Sequence, residues 1–156
     1  MIFMFIFTAV MVAVDQITKL LTIACLKPVK SVEIVKNILS FTYVENRGAA
    51  FGILQNARWM FIIFTLAIIV VLIIYTAKAK PASKLYRLST SLIISGGIGN
   101  LIDRIFRGYV VDMIEVTFIK YPVFNFADCC VVVGAILFCI YILKYDTKTE
   151  KDNGDN

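Results

Sequence analysis

Two aspartates beside apolar stretches are the residues of this chain best suited to acid–base chemistry. Asp112 follows Val110 and Val111, and Asp128 stands 16 residues further on, at the head of a long apolar segment. Two helix ends that meet at a membrane surface could bring these carboxyl groups together. Two carboxyl groups in contact cannot both ionise easily, so one keeps its proton and the other acts as a base. Such a pair would activate water for peptide hydrolysis without histidine, which the chain lacks.

A second set of polar residues lies within otherwise apolar segments, where ionisable side chains are costly and are often functional. Asp15 and Lys19 are four residues apart, so they share a helix face and can pair. Asn100, Asp103 and Arg104 are spaced so that they also share one face of a helix. Both sets have a structural interpretation too, as a self-neutralising ion pair and as a polar clamp between helices.

The composition indicates a membrane protein. Of the 156 residues, 60% are apolar and 17% are charged, and the mean hydropathy is +0.83. A soluble domain is about half apolar and a quarter charged, and a soluble chain this small would expose large apolar patches. These values exclude a soluble globular protein, a disordered chain and a nucleic-acid-binding module. The absence of histidine excludes Ser-His and Cys-His catalysis and argues against a zinc site.

Four apolar segments are long enough to cross a bilayer as helices. They cover residues 2–26, 59–77, 85–106 and 123–143, and the third is the weakest because it contains serines, glycines and the second polar set. We therefore expect one all-α integral membrane domain over residues 1–156, ending in a polar cytoplasmic tail at 144–156. Lysines and arginines are dense after the second span and in the tail, so the positive-inside rule favours cytoplasmic termini.

The connection between the first two spans is too long for a simple turn. Val32 and Ile34, and later Phe41 and Tyr43, alternate with polar neighbours. This alternation predicts two short strands, forming a small hairpin at the membrane surface. The connection at 107–122, on the same side, contains glycine and proline and is not expected to form one uninterrupted helix.

Taken together, five short blocks of this chain resemble the bacterial lipoprotein signal peptidase family, signal peptidase II. In chain order they are Asp15-Gln16-Ile17-Thr18-Lys19, Asn46-Arg47-Gly48-Ala49-Ala50-Phe51, Gly96-Gly97-Ile98-Gly99-Asn100-Leu101-Ile102-Asp103-Arg104, Val110-Val111-Asp112-Met113 and Phe124-Asn125-Phe126-Ala127-Asp128. Each block alone is a weak signal, but five in order on a four-span chain are specific. Cys129 departs from the family, which commonly has serine there, so a hydroxyl hydrogen bond at that position is not expected.

The resemblance implies a membrane aspartic endopeptidase with Asp112 and Asp128 as its catalytic dyad, near the extracytoplasmic surface of the bacterial cytoplasmic membrane. The family cleaves prolipoprotein signal peptides just before a diacylglyceryl-modified cysteine. Residues expected to support the site or contact substrate are Asp15, Lys19, Asn46, Gly48, Asn100, Asp103, Arg104 and Asn125. The resemblance also implies a β-cradle in the first loop, a short helix around 107–120, and a monomer that contacts prolipoprotein and lipid. No nucleic acid, metal or cofactor is expected.

Two other functions fit part of the pattern. A proton- or ion-coupled transporter subunit would use the intramembrane charges, but the paired broken helices expected of transporters are missing. A structural scaffold would use the same residues as polar clamps. Spacing alone also allows Asp112 to be a solvated loop acid and Asp128 to be a helix cap. The two aspartates would titrate as a unit, so the sequence leaves open which of them holds the proton.

Overall fold

The computed structural model describes residues 2–48, 57–79 and 83–154. The elements in chain order are α1 (Ile2–Leu21), which continues into a π-helical turn (Thr22–Leu26), β1 (Ser31–Val35), β2 (Leu39–Asn46), α2 (Arg58–Ala79), α3 (Lys84–Phe106), β3 (Val110–Val116) and α4 (Phe126–Gly154). The structure is mostly helical, with one small antiparallel sheet.

Three helical segments in the described ranges are long and apolar enough to cross a membrane, namely Ile2–Leu26, Arg58–Lys78 and Phe126–Lys144. Many of their large apolar side chains point away from the rest of the protein, as Phe5 and Ile63 do. An outward apolar surface of this kind suits a lipid environment rather than water. The helix α3 has a comparable length of 23 residues but is less apolar.

The low hydropathy of α3 follows from its position between the other helices, since it packs against α4, α1 and α2. Ser89, Thr90 and Ser95 are buried, and their hydroxyl groups donate to backbone carbonyls three or four residues earlier in α3. Small residues allow close helix approach, and a Cβ at Gly96 would collide with the backbone carbonyl of Ala127 in α4. The segment predicted to be the weakest span is therefore the central helix of the fold.

The sheet has the order β1-β2-β3 and lies at one end of the helices. The predicted hairpin is confirmed, and Asn37 in its turn has the left-handed φ of 58°. The strand β2 pairs on its other side with β3, where Val44 lies opposite Asp112 and Asn46 opposite Val110. This pairing places the end of β2, which carries Asn46, next to the part of β3 that carries Asp112.

The expected short helix around 107–120 is wrong, because β3 occupies Val110–Val116. This stretch is rich in β-branched residues, which favour strands, and the free edge of β2 supplies its hydrogen-bond partners. Gly108, with φ of +83°, follows the end of α3 in a conformation that glycine adopts easily. The last helix begins at Phe126, later than expected, and continues to Gly154 through the segment expected to be a polar tail.

Candidate active site

The carboxyl groups of Asp112 and Asp128 are joined through a single residue, Asn125. The side-chain nitrogen of Asn125 donates to Asp112 Oδ1 at 2.6 Å, and its backbone nitrogen donates to Asp128 Oδ2 at 3.1 Å. Asp112 lies on β3 and Asp128 in the first turn of α4, so two separate elements bring the carboxyl groups to one place. The site predicted from these two residues is assembled in the structure.

The start of α4 explains how Asp128 is held. Asn125 precedes the helix, and the backbone nitrogen of Asp128 donates to Asn125 Oδ1 at 2.9 Å. With the reverse bond from the Asn125 backbone to Asp128, this is a reciprocal capping arrangement at the helix N-terminus. Asp128 is therefore a helix cap, as one interpretation of the sequence expects, and it is also linked to Asp112 through Asn125. Its second oxygen, Oδ1, accepts a bond from Asn100 Nδ2 at 2.7 Å.

Neighbouring segments on both sides of the strand β3 hold Asp112 in place. On one side Asn46, in β2, donates from Nδ2 to Asp112 Oδ2 at 2.9 Å. On the other side the carbonyl of Phe124 accepts from the backbone nitrogens of Met113, at 3.0 Å, and Ile114, at 2.8 Å. This second contact draws the segment leading into α4 alongside Asp112.

Asp112 is 1% exposed, which excludes a solvated loop acid. Burial, and to a smaller extent the negative charge of Asp128, raise the pKa of its carboxyl group to about 7. The hydrogen bonds from Asn46 and Asn125 act in the opposite direction and lower the pKa. The site therefore contains a carboxyl group that can hold or release a proton near neutral pH.

A fully buried lysine, Lys19, forms a second polar centre. Its Nζ lies 2.9 Å from Asp15 Oδ2, 3.2 Å from Asp103 Oδ2 and 2.9 Å from Asn100 Oδ1. Asp103 also pairs with Arg107, one turn later in α3. Two acidic and two basic side chains thus balance one another within this group.

The two acidic members of this group contact the backbone beside the dyad. Asp15 Oδ1 accepts the backbone N–H of Ala127 at 3.0 Å, and Asp103 Oδ2 accepts that of Val111 at 3.0 Å. Ala127 and Val111 are the residues immediately before Asp128 and Asp112. The group around Lys19 therefore holds the peptide on which each dyad carboxyl group is carried.

Arg104 lies on a different side of α3 from Asp103 and does not share its partners. Its Nη2 donates to the backbone carbonyl of Gly48 at 3.4 Å, and its guanidinium carbon lies 4.8 Å from the centre of the Phe61 ring. The backbone nitrogen of Gly48 in turn donates to Asn46 Oδ1 at 3.0 Å. The first half of the Asn46 block thus reaches the site, and its later residues, 49–51, lie outside the described residues.

Sequence reasoning missed two participants, Arg107 and the side chain of Gln16. Gln16 Nε2 donates to the carbonyl of Gly99 and to Asp15, both at 3.1 Å, and Gln16 Oε1 accepts from Arg107 Nη1 at 3.3 Å. The spacing of four residues between Asp103 and Arg107 was the available signal, since such residues face each other on a helix. Within the described part of the chain, no three Cys, Asp or Glu side chains converge as metal ligands would.

Comparison with known proteins gives a consistent result. Residues 7–144 match the family model described as Signal peptidase (SPase) II. A lipoprotein signal peptidase of Clostridium acetobutylicum is 46% identical, over 91% of this chain and 94% of that protein. One of Streptococcus agalactiae serotype Ia is 41% identical, over 97% and 95% respectively. A solved bacterial membrane enzyme superposes with a TM-score of 0.86 at 32% identity, over 93% of this chain and 90% of that one.

Proposed function

Since the chain belongs to the signal peptidase II family, we propose that this protease is a membrane aspartic endopeptidase with Asp112 and Asp128 as its catalytic dyad. Its substrates would be prolipoproteins carrying a diacylglyceryl cysteine, cleaved just before that cysteine. It is a bacterial membrane protein by family and by its apolar helices. One observation carries the proposal, which is that Asn125 joins the two carboxyl groups while Asp112 is buried.

The proposed reaction needs only these two side chains and water. One aspartate, ionised, takes a proton from water as the water oxygen bonds to the scissile carbonyl carbon. The other, protonated, gives its proton to the carbonyl oxygen, and a gem-diol results. The C–N bond then breaks as the first aspartate gives the proton it took from water to the leaving amine. A hydroxyl group of the gem-diol gives its proton back to the second aspartate. The raised pKa of Asp112 supports this scheme, because one carboxyl group must be protonated near neutral pH.

We assign supporting roles to the polar residues around the dyad. Asn46, Asn100 and Asn125 donate hydrogen bonds to its carboxyl groups. Asp15, Lys19 and Asp103 hold the backbone that precedes both aspartates. The guanidinium of Arg104, bonded to Gly48, acts electrostatically on both carboxyl groups and is suited to contact substrate.

The proposed topology has four crossings, with α3 as the third. At about 1.5 Å per residue, its 23 residues span roughly the 30 Å of a hydrocarbon core. The end of α1, the start of α2, the end of α3 and the start of α4 all lie on the side of the sheet. With the lysine-rich connection after α2 in the cytoplasm, both termini are cytoplasmic and the dyad lies near the extracytoplasmic surface.

A groove between α1, α2 and α3 is the proposed site for the apolar segment of the signal peptide. It has a volume of about 640 Å³ and is lined mainly by apolar side chains, including Ala13 and Ile73. Gln16 also lines the groove and contacts Asp15, a member of the group around Lys19 that adjoins the dyad. We expect Ala13→Trp to raise KM for a prolipoprotein substrate roughly tenfold with little change in kcat, because it fills the groove. Val10→Trp, on an exposed part of α1 outside the groove, is the control and should leave both constants unchanged.

The main test is cleavage of a lipid-modified prolipoprotein by the full chain reconstituted in lipid. Asp112→Asn and Asp128→Asn should each lower the cleavage rate by roughly 10³-fold or more, since each removes a proton carrier. The matched control is Glu115→Gln, a neutralised acid on the same strand whose partner is Thr42. Full cleavage by either asparagine variant would contradict the dyad.

A further inference from the structure

The side-chain amide of Asn100 lies between Lys19 and Asp128, and Lys19 fixes its orientation. An ammonium group can only donate hydrogen bonds, and Lys19 Nζ lies 2.9 Å from Asn100 Oδ1. The amide oxygen therefore faces Lys19. The amide nitrogen must point the other way, where it donates to Asp128 Oδ1 at 2.7 Å.

The amide of Asn125 is fixed by a second group that can only donate, the backbone N–H of Asp128. This N–H bonds to Asn125 Oδ1 at 2.9 Å. The Asn125 side-chain nitrogen is thereby left to donate to Asn100 Oδ1 at 3.1 Å and to Asp112 Oδ1 at 2.6 Å. Both amides consequently present N–H groups, rather than oxygens, to the two carboxyl groups.

The two carboxyl groups differ in what stabilises a negative charge on them. Asp128 stands in the first turn of α4, where the helix dipole favours an anion, and it is partly exposed. It accepts one bond from a backbone N–H at that helix end and one from the amide that Lys19 orients. Asp112 is almost fully buried on a strand, and burial favours its protonated form.

From this asymmetry we propose that Lys19 is a positioning residue that acts through Asn100 to make Asp128 the ionised base, leaving the shared proton on Asp112. The inference rests on the proposed function, because it assigns the two roles within that dyad. Asp128 then takes the proton from water, and Asp112 protonates the scissile carbonyl oxygen. When the C–N bond breaks, Asp128 gives its proton to the leaving amine and Asp112 is reprotonated by a gem-diol hydroxyl.

The other charged and titratable groups near the dyad do not remove this asymmetry. Arg104 acts on both carboxyl groups, and Arg107 is paired with Asp103. The charge of Lys19 lowers the pKa of Asp112, but burial outweighs it. Among the described residues of α1, α3 and α4, the charged and titratable groups near the dyad are Asp15, Lys19, Asp103, Arg104, Cys129 and Cys130.

The first test reads the ionisation of each aspartate by infrared spectroscopy of the full chain in lipid nanodiscs. The spectrum of the double variant, Asp112→Asn with Asp128→Asn, is subtracted from that of each single variant, so that one carboxyl group is seen at a time. As the pH is lowered, we expect the protonated-carboxyl band to appear first, at a higher pH, in Asp128→Asn, which reports Asp112. In Asp112→Asn, which reports Asp128, the band should appear only at a lower pH. The reverse order would overturn the proposal. Cleavage is not needed for this readout, so its failure and that of the proposed function are distinguishable.

The second test asks whether Asn100 and Lys19 carry the effect. In the Asp112→Asn background, Asn100→Leu should move the appearance of the band to a higher pH by about one unit. In the Asp128→Asn background the movement should be clearly smaller, and equal movements would overturn the role of Asn100. In the Asp112→Asn background, Lys19→Gln, whose amide can turn either way, should act like Asn100→Leu, whereas the donor-only Lys19→Arg should restore the band position. Thr90→Val, a buried α3 residue bonded within its own helix, is the control that should move nothing.

Discussion

Two groups of carboxylates lie next to each other in this protein and differ in how their charge is compensated. Around Lys19, two acidic side chains face two basic ones, and the ion pairs close on themselves. At Asp112 and Asp128, the side chains that hydrogen-bond the two carboxyl groups are neutral amides instead, and Arg104 acts on them only through its charge. The first arrangement is ionically satisfied, whereas the second leaves one carboxyl group to be neutralised by a proton.

This difference separates a structural role from a reactive one. A buried charge that has its counter-ion is compensated without a proton. Removing either partner leaves an uncompensated buried charge, so such a pair holds the fold in place. A buried carboxyl group that depends on a proton for neutrality can give that proton away near neutral pH, as acid–base catalysis requires. The two groups are linked, because Asp15 and Asp103 bind the backbone N–H groups next to the dyad residues.

The largest effect on stability is expected when the balance around Lys19 is broken. Lys19→Met leaves Asp15 and Asp103 buried with one cation fewer, and removing one partner of a buried pair typically costs about 3–5 kcal/mol. We expect this loss in the free energy of unfolding, measured by denaturation of the purified protein in detergent.

Lys27→Met provides the matched control for this prediction. Lys27 pairs with Glu45 where both side chains are well exposed, so its loss should change the unfolding free energy by about 1 kcal/mol at most. Similar losses for the two variants would mean that the buried group does not hold the fold as its geometry indicates.

A second prediction concerns the proton at Asp112. Burial, and then the charge of Asp128, raise the pKa of this carboxyl group from 3.8 to about 7 in the folded protein. At Asp112 the folded state thus binds more protons than the unfolded state between these values, and the contribution of Asp112 to stability falls as the pH rises from about 4 to about 7. Asp112→Asn should flatten this part of the curve of unfolding midpoint against pH. Equal slopes for the two proteins would contradict the raised pKa.

The sequence was sufficient to predict interactions between residues close together in the chain. The pairing of Asp15 with Lys19 follows from helical spacing, and the β1–β2 hairpin follows from alternation. The proximity of Asp112 and Asp128 was expected from their chemistry, and the family resemblance made it specific.

Interactions between distant segments were harder to predict. The strand β3 depends on a partner strand more than sixty residues earlier in the chain, since Asn46 pairs with Val110, so local patterns did not distinguish it from the expected helix. The polar residues of α3 made it the weakest predicted membrane span, because the sequence does not reveal that α3 packs against three other helices. Arg107 lay just beyond the predicted end of that span and was overlooked for this reason.

The smallest of the expected effects concerns the contact between α3 and α4, which positions the dyad relative to the group around Lys19. A Cβ at Gly96 would collide with the Ala127 carbonyl and approach Val131 Cγ2 at 2.7 Å, so Gly96→Ala must displace α4, which carries Asp128. At Gly97 the nearest atom is the flexible Ile69 Cδ1, 3.3 Å away on α2. We expect Gly96→Ala to cost about 1–3 kcal/mol and to lower kcat. Gly97→Ala should be neutral or slightly stabilising, because alanine is the better helix former. Equal kcat values in the cleavage assay would mean that the dyad tolerates movement of α4 against α3 and does not depend on this helix contact.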